Sequence, residues 1–309
     1  MSDGDAITDE SVAPSILNHL FSHTLKLYKS NRSIPELTRD DIKYIKSNIS
    51  KYLFSVYQRQ SRDMIIRTYT SAREVYSDLK LSIRDEIEGQ YRLKVLSLKS
   101  RNKILISTQS IVFISKTDNE RDGDDDDEVA KKFNTLILAR LSPLHQIIIK
   151  SLNNLTCDPP LIISNHELSN VSIYNFINHL FETGLMITDV QLTYTLPGSS
   201  VINDNLRNIV VNIPQSNIST FKIRQRQQED QEEEMRSIMS IINEFLFDHS
   251  KLKFEQLSIH KFISNIINIS IDGKIKIKPL QSSYPEYQSN DNNNSSQWLL
   301  IKNFYELLH

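Results

Sequence analysis

The stretch DNERDGDDDDEV (residues 118–129) holds eight acids against one arginine, the densest set of hard-cation ligands in the chain. A calcium loop of the EF-hand kind wants oxygens at its first, third, fifth and ninth positions, glycine at the sixth and a bidentate glutamate at the twelfth. Counted from Asp118, Glu120 and Asp122 fill the third and fifth places, Gly123 the sixth, and Asp126 the ninth, with the Asp124 carbonyl in the seventh. The eighth place, which should be apolar, is Asp125. The twelfth is Val129, with Glu128 one residue early, and SIVFISKT before the loop is no clear entering helix. The stretch therefore reads as a solvated acidic spacer, not a metal site.

Histidine offers little more. His19 and His23 lie four apart in HLFSH, one helical turn, but the zinc-protease pattern needs Glu where Leu20 stands and no third ligand follows from spacing. His145, His166, His179, His249, His260 and His309 are scattered, with no Ser or Cys motif that would make a triad. The six glycines never approach GxGxxG or P-loop spacing. Cys157 is the single cysteine, which excludes an intramolecular disulfide framework and a CxxC knuckle. No catalytic residue, metal, cofactor or small-molecule substrate is expected.

Charge is the stronger signal. The net charge of −2 hides a basic block from Lys26 to Lys103, with 18 Lys and Arg against 9 Asp and Glu. In it Tyr44, Tyr52 and Tyr57 interleave with cations, an arrangement that can grip and stack on nucleic acid. The same pattern also arises when aromatics pack inward and cations stay wet. Lys43, Lys46, Lys51, Arg59, Arg62, Arg67, Arg101 and Lys103 are the candidate contacts to nucleic acid or an acidic partner. The start, MSDGDAITDES, is unlike a presequence, and no run reaches the length of a membrane span. A nuclear or cytoplasmic protein is expected, neither secreted nor membrane-bound.

The elements that must carry these residues read as follows. Ile16, Leu20 and Leu27 form a helical stripe after Pro14. Thr38 caps a second helix with Asp40 and Asp41 in its first turn and Ile42, Ile45, Ile49, Leu53 and Val56 on one face. Residues 62–80 and 85–103 continue as helices, the latter on the spacing of Ile87, Tyr91 and Val95. KILISTQSIVFIS (103–115) fits either a strand or a helix extension. Further on, 144–155 and 171–184 are helices, Gly184 capping the second, and Val190, Leu192, Tyr194 and Leu196 alternate as a strand before Pro-Gly. RQRQQEDQEEEMR (224–236) is a charged linker. MRSIMSIINEFLF and LSIHKFISNII are amphipathic runs, and Asp272-Gly273 in ISIDGKIKI suits a two-residue type I′ hairpin. WLLIKNFYELL closes the chain as a strand or short helix.

TLKLYKSNRSIPELTRDDIKYIKSNI (24–49) and QYRLKVLSLKSRNKILISTQ (90–109) resemble the helical domain of GINS replication-complex subunits. Leu27-Tyr28, Pro35, Asp41 and Arg101-Asn102-Lys103 carry the likeness, and DEVAKKFNTLI (127–137) matches a following helix. The resemblance covers at most the first half of the chain. It implies a nuclear, non-catalytic scaffold joined to a replicative helicase assembly.

The expected fold is α+β and mainly α: an N-terminal helical bundle followed by an α+β half with winged-helix-like units. The expected division is an acidic tail (1–13), a helical domain (14–115), an acidic linker (116–130), a winged-helix-like unit (131–222), a charged linker (223–236) and a second helix–hairpin unit (237–309). The expected function is a non-enzymatic scaffold or adaptor subunit of a nuclear multiprotein complex, in DNA replication or chromatin maintenance. Its partners are protein subunits. The alternative is a winged-helix nucleic-acid-binding factor, although the candidate recognition helix VSIYNFINHLFETG carries no Lys or Arg.

Overall fold

The computed structural model describes residues 23–60, 69–101, 106–117, 135–183, 185–196, 207–229, 236–278 and 290–308. The expected tail (1–13), the acidic stretch from 118, His19, Gly184 and the Pro-Gly turn at 197–198 lie outside them. So do Arg62, Arg67, Lys103 and the acidic core of the 223–236 linker.

Strand β1 (Leu25–Ser30) leads to helix α1 (Arg39–Gln60) and the short α2 (Ala72–Asp78). A meander follows: β2 (Leu79–Glu88), β3 (Tyr91–Ser100), β4 (Gln109–Lys116) and β5 (Thr135–Arg140). Next come α3 (Pro143–Asn153), β6 (Ile163–Asn165), α4 (Asn170–Glu182) and the hairpin β7 (Val190–Thr195) and β8 (Asn208–Ile213). Helices α5 (Gln215–Glu229) and α6 (Ile238–Ser250) precede β9 (Ser258–Ile263), β10 (Ile267–Ser270) and β11 (Lys274–Ile277), and α7 (Asn290–Leu308) ends the chain.

All the strands join one antiparallel sheet in the order β2-β3-β4-β5-β1-β11-β10-β9-β7-β8, with β6 also on β1. This corrects the expectation of a mainly α chain with an N-terminal helical bundle and winged-helix-like units. The hairpins that resembled wings are neighbours in that sheet, joined through β7 and β9. Residues 79–100 are a hairpin, not helices: Glu88 pairs with Tyr91 across Gly89-Gln90, and Gly89 takes φ 59°. Tyr91 and Val95 share a face of β3, since a spacing of four satisfies both a helical turn and the two-residue repeat of a strand, whereas Ile87 lies in β2 and pairs with Arg92 on the opposite face. Leu27 belongs to β1 rather than a helical stripe, and LSIHKFISNII supplies β9.

The apolar runs show why the sheet is central. In β4, Ile111 and Phe113 enter one core while Val112 and Ile114 enter the other; in β5, Leu136 and Leu138 oppose Ile137 and Ala139 in the same way. A strand covered on both faces loses the alternating pattern that would identify it. One core packs Ile45, Ile49 and Leu53 of α1, Val75 of α2 and Ile148 and Leu152 of α3 against β2–β5. The other packs α4, α6 and α7 across the opposite face, with Phe176, Ile242, Trp298 and Tyr305 fully buried or nearly so.

Several local expectations hold. Thr38 Oγ1 accepts the Asp41 N–H at 3.1 Å, and Asp41 Oδ2 accepts the Thr38 N–H at 2.9 Å, a reciprocal cap of α1. Helices α3, α4 and α6 and strand β7 lie where spacing placed them. The Asp272-Gly273 hairpin is present with a different turn. Ser270 pairs with Lys274 across three residues, the Gly273 N–H donates to the Ser270 carbonyl at 3.0 Å, and Gly273 takes φ 72° with no positive φ at Asp272. That is a turn followed by a left-handed glycine, the usual three-residue hairpin, rather than type I′.

Candidate functional site

Among the described residues, the face of the sheet that carries α1–α3 is covered only in part. Over β2–β5 alternate side chains meet the helices. Over β7–β11, the residues on that face join neither apolar core. In β11, Ile275 and Ile277 point into the far core, so Lys274 and Lys276 between them stand on the open side. Register carries the face outward: Lys26 pairs with Lys274, Asn268 with Lys276, Ser270 with Lys261, Lys261 with Thr193, and Thr193 with Val210. Val210 is 53% exposed, and Asn208 and Asn212 beside it are exposed as well.

Among the described residues, four lysines thus share one open surface with a single acid. Asp272 Oδ2 accepts from Lys274 Nζ at 2.5 Å, its Oδ1 accepts from Ser270 Oγ at 2.5 Å, and its carbonyl accepts from Lys26 Nζ. Burial pushes the Asp272 carboxyl up. The bonds from Lys274 and Ser270 and the charges of Lys274 and Lys26 outweigh that and hold it below its ordinary range. Lys276 and Lys261 line a shallow cleft of about 260 Å³ with Thr24, His260 and Asn268, whose Oδ1 accepts no hydrogen bond. Cations on a polar sheet face with amide and hydroxyl donors between them suit a polyanion: point charges for phosphates and neutral donors for their remaining oxygens.

The residues singled out by charge lie elsewhere, around α1. Lys43 is exposed and paired with Asp40 at 2.7 Å. Lys46 Nζ sits 4.2 Å from the centroid of the Tyr76 ring, and burial, then the Arg101 charge, lowers its pKa. Arg101 follows β3, where its backbone N–H donates to the Asp78 carbonyl at 3.0 Å. Asp78 is buried and accepts from Ser100 Oγ and, at 3.1 Å, from Tyr69. The structure therefore brings Lys43 and Lys46 to Tyr76, with Arg101 close enough for its charge to act on Lys46, while Lys51 and Arg59 are exposed further along α1. Of the interleaved tyrosines, Tyr44 is exposed, whereas Tyr52 and Tyr57 pack against the core. The sheet lysines were missed because the basic block was counted along the chain. The alternation in KIKI already set two lysines on one face.

Among the described residues no group of three or more His, Cys, Asp or Glu could hold a metal ion. No helix among them is long and apolar enough to cross a membrane.

The GINS resemblance does not survive the fold. The Leu27-Tyr28 segment is a strand, and YRLKVLSLKS is β3. No curated protein matches the chain. The family model of centromere protein L matches residues 115–309, more than half of the chain, from the last two residues of β4 through α7. By that match the chain belongs to the centromere protein L family.

Proposed function

We propose that this chain is a non-enzymatic structural subunit of a centromeric multiprotein complex, and that the open half of its sheet meets the DNA phosphate backbone there. Family membership supports the setting: a complex subunit at the centromere, in place of the replication assembly the sequence suggested. The observation that carries the DNA contact is the asymmetry of the sheet. One half of a face is buried under α1–α3, and the other half is largely polar and, among the described residues, presents Lys26, Lys261, Lys274 and Lys276 against Asp272 alone. DNA binding would then proceed by release of counterions from the duplex, with affinity falling steeply as salt rises.

The cluster of Lys43 and Lys46 at Tyr76, with Arg101 near Lys46 and Lys51 and Arg59 beyond it, supports a second contact on the helical layer. Its aromatic centre suits an acidic protein segment, because Tyr76 offers a cation–π anchor to Lys46 and leaves Arg101 for a carboxylate.

One titration separates the surfaces. Duplex DNA is bound to the full chain over a range of salt, and the slope of log affinity against log salt is measured. Lys261→Ala/Lys274→Ala/Lys276→Ala should weaken binding at least about tenfold and flatten the slope by roughly 2–3, near 0.9 for each lost phosphate contact. If Lys46→Ala/Arg101→Ala produces that loss and the triple variant does not, the DNA surface is the helical layer and the sheet reading fails.

A further inference from the structure

Away from both lysine surfaces, α6 and the 3-10 turn at Phe254–Gln256 enclose a cleft of about 290 Å³. Arg236, Asn243, Glu244, Phe247, Lys253 and Phe254 line it. Its charges balance: Arg236 Nη1 lies 3.4 Å from the Glu244 carboxylate, and Lys253 and Glu255 complete the charged lining, one of each sign. A polyanion therefore finds no net attraction here. Two features instead point to an uncharged ligand.

The first is Phe247. It is 39% exposed at the cleft, whereas Phe245 on the same helix packs edge-on against Phe221 at 5.1 Å. The Lys251 ammonium, held at the left-handed C-cap of α6, lies 5.6 Å from the Phe247 ring centroid and leaves much of the ring open. The second feature is Asn243. It is only 7% exposed, among Met239, Ile242 and Leu246 of its own helix, and its Oδ1 accepts no hydrogen bond. A buried acceptor without a donor carries a desolvation cost that nothing in the fold offsets. Asn243 itself lines the cleft, and the terminal torsion of asparagine is soft, so its amide can reorient at little cost.

We infer that the cleft binds an extended, uncharged segment of a partner protein, with a main-chain N–H donating to Asn243 Oδ1 and an apolar side chain packed on Phe247. The asparagine amide carries an acceptor and donors side by side, the complement of one peptide unit. The volume suits one or two residues rather than a folded surface. A neutral rim makes the contact insensitive to salt, unlike the DNA contact proposed above, on which this inference does not depend.

The test uses the full chain with ¹⁵N-labelled asparagine and N-acetyl-leucine N′-methylamide as the probe, a single capped residue with both peptide units. The Asn243 side-chain signal is identified by its loss in Asn243→Leu. It should shift saturably with the probe, and by the same amount at low and high salt. Phe247→Ser should weaken the binding several-fold. Asn243→Leu should abolish it and raise the thermal midpoint, since an unsatisfied buried amide is replaced by a side chain of similar size. No saturable shift, a strong salt dependence, or a lowered midpoint in Asn243→Leu would overturn the proposal. The last would show that the amide is satisfied within the fold.

Discussion

Gly273 sits where three strands meet. The Leu27 N–H donates to its carbonyl at 2.8 Å, and the His166 N–H donates to the Leu27 carbonyl at 3.0 Å. A Cβ built on Gly273 would overlap the backbone carbonyl of His166, and the φ of 72° is itself unfavourable to any other residue. Gly89 has a similar φ of 59° but open space around its would-be Cβ. Gly89→Ala should thus cost about 1 kcal/mol, from conformation alone. Gly273→Ala should cost clearly more, because backbone cannot move aside as a flexible side chain can. Urea denaturation of the two variants checks the difference; equal losses would mean the junction is looser than described. The hairpin itself was legible from Asp-Gly between isoleucines, but the close approach of His166 was not, since it depends on a contact more than 100 residues away. His145 yields a second test. It is fully buried at the start of α3, with Nδ1 donating to the Arg140 carbonyl at 2.8 Å and Nε2 without a partner. Burial, aided by the charge of Arg140, lowers its pKa to about 4, even though the bond to the Arg140 carbonyl favours the charged form. The unfolded chain takes up a proton near the ordinary value of about 6.5, so between the two values it binds more protons than the fold. Stability from this group is full above pH 6.5 and is lost as pH falls toward 4, on the order of 3 kcal/mol in all. Replacing His145 by Gln, which does not titrate, should flatten that part of the stability profile, measured by urea unfolding between pH 7 and 4.5.

Among the elements, α7 shows how a polar-looking terminus becomes part of the core. Trp298 is 1% exposed and meets Tyr91 of β3 edge-on at 5.7 Å; Tyr305 meets the same ring at 5.7 Å from one side and is wholly buried. Glu306 accepts from the Tyr91 hydroxyl and pairs with Lys116 at 2.9 Å, and burial followed by the Glu306 bond pushes the Tyr91 hydroxyl up to about 12. These contacts join the last helix to two strands from the first half of the chain. Trp298→Ala should therefore cost about 3–5 kcal/mol and open the end of the chain to proteolysis. A variant that loses neither stability nor protection would mean α7 is held by something else. The periodicity of WLLIKNFYELL allowed a helix, yet its partner was hidden, because Tyr91 itself had been placed on a helix. Elements with a single buried face, such as α1 and α4, were legible from their apolar stripes. Strands buried on both faces, such as β4 and β5, were not, since their central runs, Ile111–Ile114 and Leu136–Ala139, are apolar without a break and neither period stands out.

For the whole molecule the decisive element is β1. It is short, and its neighbours come from distant parts of the chain: β5 along its full length on one side, and β11 and β6 sharing the other. Strand β1 thereby ties the β2–β5 meander to the β9–β11 meander in one ladder, and its Leu27 is fully buried in the core that spans the far face. Charge counting and local periodicity could not reveal such a link, because the pairing residues are about 110 and 250 positions apart in sequence and no local pattern encodes the partner of a strand. If the sheet is continuous in solution, the chain unfolds in one step. Fluorescence of the sole tryptophan, Trp298, reports on the core around α7, while far-UV circular dichroism reports on all elements together. The two should trace coincident urea transitions. Leu27→Ala, which empties the core at the junction, should move both to lower urea by the same amount, for a loss of about 2–5 kcal/mol. Separate domains divided near residues 116–130 would instead give two transitions. The tryptophan would follow only one of them, and Leu27→Ala would shift that signal and the circular dichroism unequally. The same comparison bears on the proposed DNA surface, since Lys26 pairs with Lys274 across β1 and β11 and the lysine face is continuous only while that ladder is intact.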